Sequence, residues 1–167
     1  MLVGAHLARL DTAARLILRD SELARDAVQE AMLRAWRNLR GLRDPCRFDA
    51  WLHRLTVNTC LDLARQRRSR IIEVELKPMH DTPVPDGLSH LTDADYVERM
   101  LARLDPAQRA VVVLHYYLDL SLPETAAALD IPVGTAKSRL NRALAAMRIR
   151  MVGEELVTAP AATERFA

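Results

Sequence analysis

Residues 121–149 read SLPETAAALDIPVGTAKSRLNRALAAMRI. Ser121 and Glu124 stand three apart, the spacing of a capping box, and open a short helix that runs to Leu129. Asp130 to Gly134 reads as a turn, and a last helix follows over about 135–150. Two short helices around a tight, glycine-containing turn form a helix-turn-helix. On the last helix Val133, Ala136, Leu140, Ala143, Leu144 and Met147 gather on one side, the expected inward face. The opposite side presents Thr135, Ser138, Arg142 and Ala145, with Arg139 and Asn141 on the flanks and Lys137 and Arg148 nearer the buried edge. Hydroxyls, an Asn and arginines are the side chains that reach base edges and phosphates in a major groove. An amphipathic surface helix with a solvated basic face has the same pattern, so spacing alone leaves both readings open.

Upstream, Asp105-Pro106-Ala107-Gln108 is a second start signal, with Asp at the N-cap, Pro at the first helical position and Gln at the third. It opens a helix to about Leu118, and another precedes it over about 93–104. Residues 71–92 hold Pro78, Pro83, Pro85 and Gly87 among scattered acids and read as a linker. Before the linker, three helices are expected. The first spans about 5–19, with Leu7, Leu10, Ala14 and Ile17 inward. The second spans about 22–39, capped by Ser21, with Ala24, Ala27, Val28, Ala31, Met32, Ala35 and Leu39 inward. After a turn over Gly41 to Pro45, the third runs from Phe48 to about Ser69, with Trp51, Leu52, Leu55 and Leu63 as core. Residues 151–167 read as a flexible tail. The expected fold is all-α: two small helical domains, 1–70 and 93–150, joined by an acidic, proline-containing linker.

The net charge of +2 conceals an alternation along the chain. Residues 1–70 hold 14 basic and 8 acidic side chains, 71–95 hold 1 and 6, 96–150 hold 8 and 5, and 151–167 hold 1 and 3. Two basic blocks therefore flank an acidic one. All but two of the basic residues are Arg, which makes forked contacts to phosphate and guanine, although a GC-rich genome also inflates Arg and Ala. On the third helix Trp51, Arg54, Asn58, Asp62 and Arg65 follow one another at steps of three and four and share a face. Such a stripe suits melted DNA: an aromatic to stack, Arg for phosphate, Asn for base edges. A buried Trp51 with solvated arginines around it is the plainer alternative.

Several classes are excluded. No run approaches the ~20 apolar residues of a membrane span, and Met1 to Arg19, interrupted by charges, does not read as a signal peptide. Cys46 and Cys60 make neither a disulfide framework nor a four-ligand zinc site. The five histidines are scattered, and no phosphate loop, His-Glu-x-x-His or nucleophile elbow is present. No metal, cofactor or catalytic residue is expected, and the chain is expected to act in the cytoplasm, without membrane insertion.

Three motifs in order carry a resemblance. They are Arg25-Asp26-Ala27-Val28-Gln29-Glu30-Ala31 with Arg34-Ala35-Trp36; Phe48-Asp49-Ala50-Trp51-Leu52-His53-Arg54 with Asn58, Leu61 and Asp62; and Pro132-Val133-Gly134-Thr135-Ala136-Lys137-Ser138-Arg139-Leu140. Together they resemble the extracytoplasmic-function (ECF, group IV) bacterial sigma factors of the sigma-70 family, over about 5–70 and 93–150. The resemblance implies two helical domains, region 2 and region 4. It implies core RNA polymerase as partner, with the β′ clamp helices bound through Asp26, Gln29, Glu30, Leu33, Arg34 and Arg37, and with contact to the β flap. It implies capture of a melted −10 base near Leu39 to Phe48, with Phe48, Trp51, Arg54 and Asn58, and phosphate contacts from Arg65, Arg67 and Arg68. Readout of the −35 element falls to Thr135, Lys137, Ser138, Arg139, Asn141 and Arg142. Members are commonly restrained by an anti-sigma factor, a further expected partner. Gly-Thr-Ala-Lys-Ser replaces the more usual Gly-Thr-Val-Lys-Ser, and Leu122-Pro123 stands where an aromatic and an acid are frequent. The alternative is a stand-alone helix-turn-helix regulator, which would bind an operator tightly without polymerase.

Overall fold

The computed structural model describes residues 2–42, 44–74 and 93–158. All regular structure among them is helical: α1 (Leu2–Leu18), α2 (Ser21–Asn38), α3 (Phe48–Val74), α4 (Asp93–Leu101), α5 (Pro106–Val112), α6 (Leu122–Leu129) and α7 (Val133–Thr158). Short 3₁₀ turns at Leu39–Gly41 and Pro45–Arg47 connect α2 to α3, and a π-helical turn, Val113–Tyr117, prolongs α5. Among the described residues no helix is long and apolar enough to cross a membrane.

α1, α2 and α3 pack on one another. The closeness of α2 comes from its alanines: Ala24, Ala27, Ala31 and Ala35 are all buried. Its N-terminus is capped by Asp20, not by the expected Ser21. The Asp20 carboxylate accepts from the backbone N–H groups of Glu22 and Leu23 at 3.1 and 3.0 Å, and Arg67 donates to its other oxygen at 2.8 Å. Asp20 thus ties the start of α2 to the far part of α3. The three amide and guanidinium donors outweigh partial burial and hold the carboxyl below its ordinary range, the Leu23 N–H contributing most. In α3, Leu52, Val57, Cys60 and Leu61 are buried together with Thr56 and Thr59. Their hydroxyls donate to the carbonyls one turn back, Leu52 at 3.0 Å and Leu55 at 2.8 Å, so both are satisfied inside the core.

Both expected capping boxes form, at Asp105/Gln108 and at Ser121/Glu124. The helix-turn-helix is α6, a turn and α7. Its turning residue is Asp130, in the left-handed region at φ 53°, and Gly134 already lies inside α7. A Cβ on Gly134 would meet nothing within 4 Å. That glycine is therefore not required by the turn.

Several boundaries differ from the sequence reading. α3 continues to Val74, into the segment read as linker, because no proline or glycine interrupts it before Pro78. α7 continues to Thr158, past the expected end near 150, and Pro160 is the first proline after it. α4 ends at Leu101 rather than 104. Leu39 was expected inward, yet the α-helix gives way there to a 3₁₀ turn and the side chain is exposed. Val133, also assigned inward, is exposed at the first position of α7, where no preceding turn covers it. The rest of the linker (75–92) and the end of the tail (159–167) lie outside the described residues.

The two blocks do not stand apart. One core runs through both, from Ala14, Ile17, Ala24, Val57 and Leu61 in the first to Leu101, Val111, Leu114, Leu129 and Leu140 in the second. α1 packs against α5 and the π turn, and α3 against α5 and α6. The tether read from the sequence predicts no such contact.

Candidate functional surfaces

The first surface lies on α2. Asp26, Gln29, Leu33, Trp36 and Arg37 are exposed, with Glu30 and Arg34 half-buried at their edge. The spacing of three and four puts them on one stripe. Glu30 accepts from Arg34 Nε at 2.8 Å. Arg34 also reaches Asp62 of α3 at 3.9 Å, and Asp62 accepts from Arg65 at 2.7 Å. The chain Glu30–Arg34–Asp62–Arg65 therefore links the α2 stripe to the basic face of α3. Two apolar side chains break the charge of this surface: Leu33 is 51% exposed and Trp36 81%. The sequence reading placed Trp36 only at the edge of the core stripe. Its position one turn beyond Leu33 is the signal that would have marked it as surface.

The second surface is the start of α3 and the turn before it. Asp44 accepts from the Cys46 N–H at 3.0 Å and fixes the turn that feeds Phe48. Phe48 and Trp51 are half-buried, with ring centroids 6.0 Å apart and planes at 50°. They pack on a small separate cluster of Leu10, Ala35 and Leu52. Trp51 is thus neither fully core nor free; one edge stays available. Arg54 is exposed and Asn58 half-buried on the same face. Of the three basic residues expected to hold phosphates, Arg68 is exposed, Arg65 is paired with Asp62, and Arg67 with Asp20. Arg67 therefore carries a structural duty that the sequence did not reveal.

His53, on the neighbouring face, is half-buried, and its Nδ1 has no hydrogen-bond partner. Burial first, then the nearby Arg9, and less strongly His6, push its pKa down, while Asp49 opposes them. Cys46 is exposed and Cys60 buried, and burial pushes the Cys60 thiol up to about 12, so it stays an unreactive packing group.

The third surface is the N-terminal half of α7. Lys137, Asn141 and Arg142 are exposed; Thr135, Ser138 and Arg139 are half-buried. Ser138 donates to the Thr135 carbonyl at 3.0 Å, which orients the Ser138 hydroxyl. The first turn of α7 begins against Pro132, whose carbonyl accepts from the Thr135 and Ala136 N–H groups at 2.9 and 3.1 Å. The side-chain-free Gly134 leaves that end open.

The second and third surfaces meet. Asn58, Arg65 and Arg68 of α3 line one cleft with Asp105, Asp130 and Arg139 of the second block. Arg54 lies 4.0 Å from the Asp130 carboxylate. Arg139 of the expected −35 set thus faces Asn58, Arg65 and Arg68 of the expected −10 set.

Comparison with known proteins gives the following. The model of Sigma-70 region 2 matches residues 2–70, and that of Sigma-70, region 4 matches residues 94–147. The chain is 39% identical over 153 residues to the ECF RNA polymerase sigma factor SigM of Mycobacterium tuberculosis, covering 91% of this chain and 76% of that one. It is 35% identical over 143 residues to the RNA polymerase sigma-E factor of Streptomyces coelicolor, 86% and 80% of the two chains. Among solved structures it resembles CnrH in complex with the cytosolic domain of CnrY, with TM-score 0.63, 31% identity and 91% and 86% coverage. In fold it also resembles the sigma factor RpoE in complex with the anti-sigma factor NepR from Bartonella quintana, with TM-score 0.71, 21% identity and 87% and 91% coverage.

Proposed function

Because the chain belongs to the sigma-70 family, in its ECF branch, and directs RNA polymerase to promoters, we propose how its helices divide that work. Residues 1–70 act as the polymerase-docking and −10 unit, and 93–150 as the −35 unit. Asp26, Gln29, Glu30, Leu33, Arg34 and Arg37 dock α2 on the polymerase β′ clamp helices, with Trp36 as the apolar anchor at the end of the stripe. Phe48, Trp51, Arg54 and Asn58 take a melted −10 base, and Arg65 and Arg68 hold the backbone beside it. Thr135, Lys137, Ser138, Arg139, Asn141 and Arg142 read the −35 duplex from the N-terminal half of α7, while the second block meets the β flap. The chain contributes binding and strand capture at the nucleoid, and polymerase contributes the chemistry.

The observation that carries this reading is the α2 stripe. An exposed Trp36 one turn beyond an exposed Leu33, set between charges, has the composition of an interface anchor. An anti-sigma factor that covers this stripe would hold the chain off polymerase; the neighbour RpoE was solved in complex with an anti-sigma factor.

Run-off transcription with bacterial core polymerase and fragmented genomic DNA tests the reading. Specific start sites should depend on the chain and disappear with Asp26→Ala/Glu30→Ala. Tight operator binding by the chain alone, with no specific initiation from active core, would instead support a stand-alone regulator.

A further inference from the structure

Trp51, Arg54, Asn58, Asp62 and Arg65 share one face of α3, and all but one of them suit a nucleic-acid strand. Asp62 is the exception. It sets a carboxylate beside a guanidinium that would hold phosphate, where Coulomb repulsion works against binding. Nothing in the division of labour above gives that acid a task.

Its contacts do. Asp62 is half-buried, and both of its carboxylate oxygens are engaged. Oδ1 accepts from Arg65 Nη1 at 2.7 Å, one turn further along α3. Oδ2 faces Arg34 Nη1 of α2 at 3.9 Å. Arg34 is itself fixed within α2, where its Nε donates to Glu30 at 2.8 Å. The charges alternate from Glu30 to Arg34 to Asp62 to Arg65, crossing from α2 to the strand-facing side of α3.

Arg65 ends this chain of charges with its side chain 73% exposed, yet one corner of its guanidinium is held. The guanidinium carries its N–H donors in a rigid fork, so pairing one side with Asp62 leaves the other side for a phosphate. Arg67 differs, because its partner Asp20 also caps α2 and the pair ties two helices together. We propose that Asp62 is a positioning residue for strand capture: anchored through Arg34 on α2, its carboxylate aims the Arg65 guanidinium at the backbone phosphate beside the melted −10 base. The proposal rests on the sigma-factor reading of α3 given above. Holding a long side chain in its bound geometry beforehand spares the ordering entropy otherwise lost on binding. The repulsion set against that gain is small, because Asp62 lies between two guanidinium groups.

The test uses holoenzyme, assembled from core polymerase and the full chain, with a dye-labelled single strand carrying the −10 segment of a start site found by run-off transcription. Binding is read by anisotropy over a range of salt. If charge alone matters, removing an acid from this face tightens binding. Positioning predicts the opposite sign: Asp62→Asn should weaken strand binding roughly three- to tenfold. It should also flatten the slope of log affinity against log salt by about 0.7, the share of one phosphate contact on a single strand. Arg65→Ala should do the same, and Asp62→Asn added to it should cost nothing further. Affinity for core polymerase should stay within about twofold, the scale of one exposed ion pair, since Glu30 retains Arg34. Asp20→Asn, which removes the acid paired with Arg67 and keeps an accepting cap, reports the response to charge alone and should not weaken strand binding.

Strand affinity raised or left unchanged by Asp62→Asn would overturn the proposal. So would a further loss on top of Arg65→Ala, or an equal loss of core affinity, which would make Asp62 a packing residue between α2 and α3. Failure of the underlying reading looks different: wild-type holoenzyme would itself leave the strand unbound, and the α3 assignment and the role of Asp62 would fall together.

Discussion

At the scale of single residues, the three side chains with most to say are Trp36, Asp20 and His53. Trp36 is 81% exposed, so the fold gains little from its burial. Trp36→Ala is expected to change folding stability by less than ~0.5 kcal/mol and to weaken polymerase binding by about 2 kcal/mol or more, roughly thirtyfold, as for other aromatic anchors. Urea melts and a polymerase-binding titration separate the two effects; equal losses in both would make Trp36 a structural residue. Asp20 is the reverse case. Asp20→Ala removes the cap of α2 and the partner of Arg67, at a cost of about 1 kcal/mol, whereas Asp20→Asn keeps an accepting cap and loses only the charge. Because its folded pKa lies below its unfolded 3.8, the charge contributes stability that is present above that value and is lost as pH falls through the folded one. His53 acts in a higher window. Its folded pKa lies below 6.5, so the unfolded chain takes up the proton first and stability declines as pH drops from about 6.5. Thermal melts of wild type and His53→Gln between pH 7.5 and about 5 check this: the wild type should lose stability across the range, and the variant should flatten the dependence.

At the scale of elements, α7 shows what the helix-turn-helix motif did and did not disclose. The glycine read as part of the turn is a helical residue with open space around its missing Cβ, and the turn itself is made by Asp130. The backbone therefore does not require a glycine at this position. Gly134→Ala should leave the fold as stable or improve it by up to about 1 kcal/mol, yet weaken binding to a −35 duplex, because a methyl group then stands at the open end of the helix. A mobility-shift titration beside a thermal melt decides; unchanged duplex affinity would remove Gly134 from the DNA-facing surface. The capping boxes at Asp105 and Ser121 were legible because a cap is a local arrangement of four residues, complete within its own sequence. Helix ends were less legible. α3 and α7 run on because no proline stops them, and the α2 cap moved by one residue because Asp20 also finds Arg67, 47 positions away. The candidate surfaces followed the same division. The stripe on α2 could be read from spacing, but whether Trp36 faced inward or outward depended on how α2 packs between α1 and α3. That Arg67 is committed to Asp20 depended on a contact no local pattern encodes.

At the scale of the whole molecule, the least legible feature is the most consequential one. Proline, glycine and acids between the blocks marked a boundary, and a boundary in sequence invites a picture of two independent units. The two helical blocks are there, and one core runs through both. A protein whose blocks complete each other's helix ends and share buried apolar surface should unfold as one body. Scanning calorimetry of the wild-type chain is therefore expected to show a single transition whose calorimetric and van't Hoff enthalpies agree. Arg109→Gln removes the charged cap from Ile17 while the apolar partners remain, so coupling weakens while each block keeps most of its own core. The van't Hoff enthalpy should then fall below the calorimetric value, or the transition should split. Raised salt should act in the same direction through the surface pairs Arg9–Asp119 and Arg54–Asp130, whose partners are exposed and screened, and leave the buried Arg109 contacts nearly unaffected. The order of sensitivity is the informative part. If salt alone splits the transition, surface charge closes the molecule; if only Arg109→Gln does, the buried guanidinium holds it. Two independent transitions in the unmodified chain at low salt would show that the blocks fold without each other, and the cleft that α3 shares with the second block would then have no energetic basis.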